Sequence, residues 1–210
     1  MINKVAPGSA PAGVRLGRPR RNIDEEGFRS EAVRLPDAVF VISTYDEDGV
    51  PNAMNAAWGG IAEENRISIC LDTTHKTTAN IRKRKAFVVS MATEDHVPEC
   101  DYVGIVSGND VPDKFARAGF HAERSANVDA PLIKELPMAV ECRLVSYDEP
   151  TCLLIGEIVN VCADESVLTD GKIDPKKLRP IVYDTVGKDY YAFGEKVGKA
   201  FSDGNRIRKA

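Results

Sequence analysis

Residues 44–80 read TYDEDGVPNAMNAAWGGIAEENRISICLDTTHKTTAN, and this stretch decides the fold. Its order is strand, turn, strand, turn, strand, helix start. Asp46-Glu47-Asp48-Gly49 is a tight turn in which glycine supplies the positive φ that residues with a Cβ avoid. The next strand, residues 50–60, is unusual. Two Asn, two Gly and a run of small residues make it a poor core strand. They suit a place where backbone approaches something flat with polar edges. A third strand, residues 66–71, runs into Asp72-Thr73-Thr74-His75-Lys76-Thr77-Thr78-Ala79-Asn80. That segment sets hydroxyls, a lysine and a histidine where a helix begins. Free N–H groups at helix N-termini bind phosphate readily.

Working outward, residues 38–44 are β-branched and apolar, the pattern of a buried strand. The helix that starts near Thr77 ends in Arg82-Lys83-Arg84-Lys85. Cations there favour the helix dipole, so this run reads as a solvated helix end and not as a nucleic-acid patch. Residues 86–91 form the next strand. Pro98 suits the first turn of a helix through Val106, and residues 111–118 read as another, stopped by Gly119. Residues 93–137 are thus an insertion rich in helix and turn signals. In residues 138–147, Val140, Cys142 and Leu144 share one face while Glu141 and Arg143 share the other. Residues 151–163 are apolar on both faces, which predicts a strand covered on both sides, with Glu157 and Asn160 in need of partners. Residues 180–183 and 190–193 read as short final strands, and a helix is expected after Gly194. Six or more strands with short turns argue for a small barrel.

The totals exclude several classes. A chain of 210 residues with 43% apolar and 29% charged residues is an ordinary globular composition. A net charge of −4 is too small to argue for nucleic acid or an anionic membrane surface, and neither is expected as a partner. No apolar run approaches the roughly 20 residues of a membrane helix. Cys70, Cys100, Cys142, Cys152 and Cys162 are odd in number and include no CxxC pair, as expected of reduced thiols in a cytoplasmic protein. Cys100 alone has polar neighbours and is the candidate reactive thiol. His75, His96 and His121 are too scattered for a metal site. Residues 1–30 carry three prolines and five basic residues before the first acid, and no apolar signal core. They read as an arm, with a short helix over 24–33, before one domain spanning 31–210.

The succession DEDGVPNAMNAAWGG, ISICLD and HKTTANI, followed by CDYVGIVSG, DKFARAGF, LIGEIVNV and GKDYYAFGEKVGKAF, resembles the flavin reductase-like family, its flavoredoxin subgroup above all. The resemblance covers residues 35–201, and its specificity comes from the order of the motifs. It implies a mainly β fold, an FMN-binding split β-barrel with a helical insertion. It also implies FMN as cofactor, a homodimer, and NAD(P)H or a redox protein as electron donor. A non-catalytic split-barrel protein that binds flavin or another phosphate ligand, of the pyridoxamine-phosphate oxidase type, is the alternative.

Flavin binding needs partners for the polar edge of the ring, a flat apolar seat and an anion site. Backbone at Asn55, Ala56, Ala57 and Trp58, and at Cys70, Leu71 and Asp72, is the candidate for the ring edge. Asn52 and Asn55 alone read as turn or edge chemistry; in this order of motifs they read as ligand contacts. His75, Lys76, Thr77 and Thr78 are the phosphate candidates, with an N-capping threonine pair as the competing reading. Trp58 fits a flavin stack, the core or a dimer interface equally well. Asp101, Tyr102, Ser107, Lys114, Tyr190 and Tyr191 are secondary candidates. No triad, paired-carboxylate site or nucleophile elbow is present, which suits a protein whose cofactor carries the chemistry. No GxGxxG follows a strand, so a separate nicotinamide domain is not expected.

Overall fold

The apolar run at residues 38–44 forms two strands, β1 (Asp37–Ala38) and β2 (Phe40–Tyr45). After a turn at Gly49 (φ +80°), in which Asp46 Oδ1 accepts the N–H groups of Asp48 and Val50, comes β3 (Pro51–Ala56). The chain continues through β4 (Gly59–Glu63), β5 (Arg66–Cys70), α1 (Lys76–Arg84) and β6 (Ala86–Met91). The insertion supplies α2 (Val97–Ile105), α3 (Lys114–Arg117) and a short hairpin, β7 (Ala122–Arg124) with β8 (Pro131–Ile133). The long strands β9 (Met138–Asp148) and β10 (Leu153–Ala163) follow. Last come β11 (Leu168–Thr169), β12 (Lys172–Ile173), α4 (Pro175–Leu178), β13 (Ile181–Asp184), β14 (Asp189–Ala192) and α5 (Asn205–Arg208). The structure, a computed structural model, describes residues 36–208. The arm expected at residues 1–30 and the helix expected at 24–33 lie outside the described residues.

The fold is mostly β, organised on a seven-stranded antiparallel sheet of order β3-β2-β6-β9-β10-β5-β4. Its two edge strands, β3 and β4, are consecutive in the chain, with only Ala57 and Trp58 between them. Two intervening residues reach at most about 11 Å. The sheet must therefore curl until its opposite edges nearly meet, and a covalent link bridges them where hydrogen bonds do not. This is the split of a split barrel. Residues 50–60, expected as one strand, are for this reason two strands on opposite edges, joined by a tight turn in which the Gly59 N–H reaches the Ala57 carbonyl at 3.2 Å. Gly59 sits at the closure. A Cβ there would lie 2.9 Å from both the Phe40 ring and the Ser68 carbonyl, so only glycine lets β2 and β5 come together.

At β2 and β6 the sheet buries both faces. Phe40, Ile42, Phe87, Val89, Ile67, Ile69 and Leu154 fill the barrel, and Ile81 of α1 plugs one end. The alternate residues Val39 and Val41 pack outward with Ala53 under α2, α3 and Phe120, while Ala86 and Val88 pack under Val128 and Ala130. That double burial is why β2 and β6 read as continuous apolar runs.

One expectation changes here. β10 is mostly half-buried, with Leu153 and Val161 exposed, so it is not covered on both sides. On β9, Glu141 shares a face with Arg143 as the alternation predicted, yet only Arg143 is exposed. Glu141 is 1% exposed and accepts hydrogen bonds from Ser125, Asn127 and Asn160, because the loop after β7 folds over it. Asn160 thereby finds the partner its place in an apolar strand required.

Candidate functional site

The segment joining β5 to α1 is fixed by its own side chains. Asp72 Oδ1 accepts the Thr74 N–H at 2.8 Å and the Thr74 hydroxyl at 2.7 Å, and these bonds hold the carboxyl below its ordinary range. The Thr78 hydroxyl donates to the Asp72 carbonyl at 2.8 Å. His75 stands at the N-cap in extended backbone with no side-chain cap bond, and the first turn of α1 contains no acid. The N-terminus of this nine-residue helix therefore keeps its partial positive charge uncompensated. Thr77 and Thr78 point inward, not into solvent. Thr77 is 1% exposed and accepts from the Asn52 amide at 2.8 Å. The other end of that amide, Asn52 Oδ1, is buried without a partner.

The loop after α2 folds against this helix end. Asn109 donates to the Thr74 carbonyl at 3.0 Å. Gly108 approaches so closely that a Cβ would stand 2.4 Å from Asn52 Oδ1. Between loop and helix lies a cavity of about 180 Å³ lined by His75, Lys76, Thr77, Ser107 and Lys114, with Met54 and residues 103–106 as its apolar part. Its lining among the described residues has three basic side chains, two hydroxyls and no acid. Lys76 lies 3.8 Å from Asp46 Oδ2, a loose contact that leaves its charge available.

A second cavity of about 330 Å³ shares Gly104 and Ile105 with the first. Asn55 and Ala57 line it from β3 and the split, Asp101 from α2, and Tyr183, Lys188 and Tyr190 from the last hairpin. A polar chain crosses it. The Asn55 amide donates to the Cys100 carbonyl and to the Tyr190 hydroxyl, both at 3.2 Å, and the Tyr190 hydroxyl donates to Asp101 at 2.8 Å. Burial, and then Asp101, push the Tyr190 phenol well above its ordinary value. The two volumes together have the size and the mixed apolar and polar lining of a small-molecule site.

Of the sequence candidates, Asn55, Ala57, His75, Lys76 and Thr77 line these cavities, with Asn52 directly behind Thr77. Asp101, Ser107, Lys114 and Tyr190 join them. Cys70, Leu71 and Asp72 line neither cavity. The Cys70 N–H is bonded to the Trp58 carbonyl, the Leu71 N–H to Cys152, and the Leu71 carbonyl to the Tyr147 hydroxyl. Ala56 packs on the barrel core and Thr78 bonds its own loop. Trp58 is 59% exposed, which removes the core reading of that residue. Tyr102 packs on the outer core, and Tyr191 is exposed. Cys100 is 1% exposed and burial pushes its thiol up to about 12, so the expectation of a reactive cysteine fails. Sequence reasoning missed Gly104 and Gly108. Glycines in an apolar helix and its following loop signal close approach, but not to what; a Cβ at Gly104 would sit 2.8 Å from Asn55 Cβ.

Comparison with known proteins follows the same lines. Residues 32–188 match the family described as flavin reductase like domain. The fold is similar to that of the flavoredoxin of Desulfovibrio vulgaris (Miyazaki F), at 39% identity and a TM-score of 0.81, covering 86% of this chain and 99% of that one. It is also similar to a flavoredoxin from Methanosarcina acetivorans, at 25% identity and a TM-score of 0.77, covering 87% and 99%. An FMN-binding domain of a flavin reductase-like enzyme from Shewanella baltica OS155, 24% identical with a TM-score of 0.70 over 78% and 89%, shares the fold.

Proposed function

The chain belongs to the flavin reductase-like family, and from that premise we propose that it is an FMN-binding redox protein, a flavin reductase or an electron carrier of the flavoredoxin type. One observation carries the reading: the uncapped N-terminus of α1 opens, with His75, Lys76, Thr77, Ser107 and Lys114, onto an acid-free cavity that shares Gly104 and Ile105 with the larger one beside Asn55. An anion fits the first volume and a polar-edged ring the second. Bound there, FMN supplies an isoalloxazine that takes up and passes on a hydride or electrons.

The chain's own groups then have defined tasks. Lys76, the α1 amides and the Ser107 hydroxyl hold the phosphate through charge-assisted bonds. Thr77 is held in place by the Asn52 amide. Asn55 and Ala57, at the split, present a polar group and a small surface to the ring, and the Cys100 carbonyl with Tyr190 and Asp101, two residues that line the same cavity, fixes the Asn55 rotamer. Titrating the purified protein with FMN tests this. Quenching of flavin fluorescence with one FMN per chain is expected; a chain that leaves FMN free, or whose co-purified ligand has another mass, overturns it. Anaerobic mixing of the loaded protein with NADH and NADPH then separates reductase from carrier, because only a reductase bleaches with a nicotinamide.

We read the functional unit as a homodimer. Trp58 and Ile61 stand exposed at the split and along β4, and Ile105 is 74% exposed at the rim where the cavities meet. Tyr191, Phe193, Val197, Phe201 and Ile207 of the last segment are likewise uncovered. Apolar exposure on this scale is the mark of an interface. Sedimentation at twice the chain mass is expected, and a monomer at micromolar concentration would remove the dimer.

A further inference from the structure

We propose that Lys188 is a specificity-determining residue for the second reactant, the molecule that meets the flavin, and that this reactant is a small conjugated or aromatic carboxylate. This rests on the FMN reading above and concerns the last hairpin, not the start of α1. The turn between β13 and β14 runs Asp184-Thr185-Val186-Gly187-Lys188-Asp189. Lys188 has a φ of +61°, a left-handed conformation that strains a residue with a Cβ and suits glycine. A glycine stands one place earlier. A Cβ at Gly187 would lie 2.8 Å from Asp184 Oδ2 and 2.7 Å from Asp189 Oδ2, so the two carboxylates converge there. They are also direct cross-strand partners, a like-charge pairing that destabilises a hairpin. An ammonium between them would relieve it. Yet Lys188 makes no ion pair among the described residues, and its side chain lines the 330 Å³ cavity with Tyr183, Tyr190 and Ile105. The turn thus forgoes an ion pair and accepts backbone strain, and what it obtains is a cation at the ring cavity.

The rest of the lining says what that cation is for. Among the described residues of this cavity Asp101 is the one carboxylate, and the Tyr190 hydroxyl already donates to it at 2.8 Å. The Asn55 amide spends its hydrogens on the Cys100 carbonyl and the Tyr190 hydroxyl. The side-chain donors left over are the Lys188 ammonium and the Tyr183 hydroxyl, neither of which has an acceptor among the described residues. One charge and one hydroxyl match the two oxygens of a carboxylate. A phosphate dianion, with three strong acceptor oxygens, needs more donors than these. The Tyr183 and Tyr190 rings, with centroids 5.8 Å apart, and Ile105 offer the remainder of the ligand an apolar wall with aromatic faces. A carboxylate on a flat conjugated body has both parts.

The experiment titrates the FMN-loaded protein with benzoate and with benzamide, its uncharged counterpart of the same shape, and reads the displacement of the flavin absorption band. It is run on the wild type and on Lys188→Gly. In the wild type a saturable displacement is expected, with benzoate bound about fivefold or more tighter than benzamide, the scale of one charge-assisted contact at a cavity rim. Lys188→Gly is expected to bind the two alike. Its melting temperature without ligand is expected to hold or rise, because glycine adopts this backbone without strain. Three results overturn the proposal and leave the FMN reading standing: a wild type whose flavin band benzoate does not move, equal affinity for the two probes, or a benzoate preference that survives in Lys188→Gly. A lower melting temperature in Lys188→Gly would show that the lysine serves its own hairpin, and overturns it as well. A wild type that does not take up FMN overturns the FMN reading itself, and this inference with it.

Discussion

Glu141→Ala is expected to lower the stability of the protein by about 3–5 kcal/mol, the range for stripping a buried charge network of its acceptor. Glu141 is fully buried on β9, and three donors converge on it: the Ser125 hydroxyl and the side-chain amides of Asn127 and Asn160. Ser125 in turn accepts the N–H groups of Asn127 and Val128, so one carboxylate organises the loop that covers Ala86, Val88 and Ala139. Alanine leaves every one of those donors in the dark. Burial pushes the Glu141 carboxyl up, but the bonds from Ser125, Asn160 and Asn127 more than reverse this, and the net position is below the ordinary value. A depressed carboxylate contributes stability that is fully present above its unfolded pKa, about 4.3, and is lost as pH falls through the folded one. Urea denaturation at pH 6 and pH 3.5 is therefore expected to show a larger acid loss for the wild type than for Glu141→Gln. Equal losses would mean that folding does not depress the Glu141 carboxyl.

Glu141 also marks the limit of what the sequence disclosed. Its alternation with Val140 and Cys142 placed it on the second face of β9, as it is. That this face lies under the loop after β7 depends on residues 13–16 positions away in sequence, and no periodicity records it. The strands that were plain to read, β2 and β6, have both faces buried by local composition alone. The break between β3 and β4 was hidden because it follows from non-local pairing: the two halves of residues 50–60 belong to strands at opposite ends of the sheet order. Small residues flagged the place and gave the wrong shape. The hairpin β7–β8 was missed because three-residue strands carry no usable alternation. At the start of α1 the sequence left two uses open for the threonines, ligand contact or N-cap; the structure removes the cap, since His75 stands there with no side-chain cap bond. Cys70, Leu71 and Asp72, read as candidates for the ring edge, line neither cavity. A strand end looks free in sequence, but here its amides and carbonyls are committed to Trp58, Cys152 and Tyr147. Lys114 was in view only as a residue of the insertion; its burial and its two carbonyl partners come from the way α2 and α3 turn back on each other.

Lys76→Ala combined with Thr77→Ala is expected to weaken FMN binding by about 2–4 kcal/mol, from the loss of one charge-assisted contact and one hydroxyl. The two residues act differently, and the single variants separate them. Among the described residues the Lys76 ammonium has only the loose 3.8 Å approach to Asp46 as an ion pair, so Lys76→Ala is expected to change affinity and leave the melting temperature of the ligand-free protein nearly where it was. Thr77 is buried and is the acceptor for the Asn52 amide. Because Asn52 Oδ1 already lacks a partner, Thr77→Ala leaves the whole Asn52 side chain unsatisfied beside Gly108 and lowers stability as well as affinity. Linkage gives an independent readout. At FMN concentrations a hundredfold above the dissociation constant, binding stabilises the native state by about 2.7 kcal/mol. At that same concentration the double variant is expected to lose most of the FMN-induced rise in melting temperature. Fluorescence titration and thermal melts with and without FMN measure both quantities. An unaltered dissociation constant in the double variant would move the phosphate away from the start of α1, and with it the part assigned to the uncapped helix end.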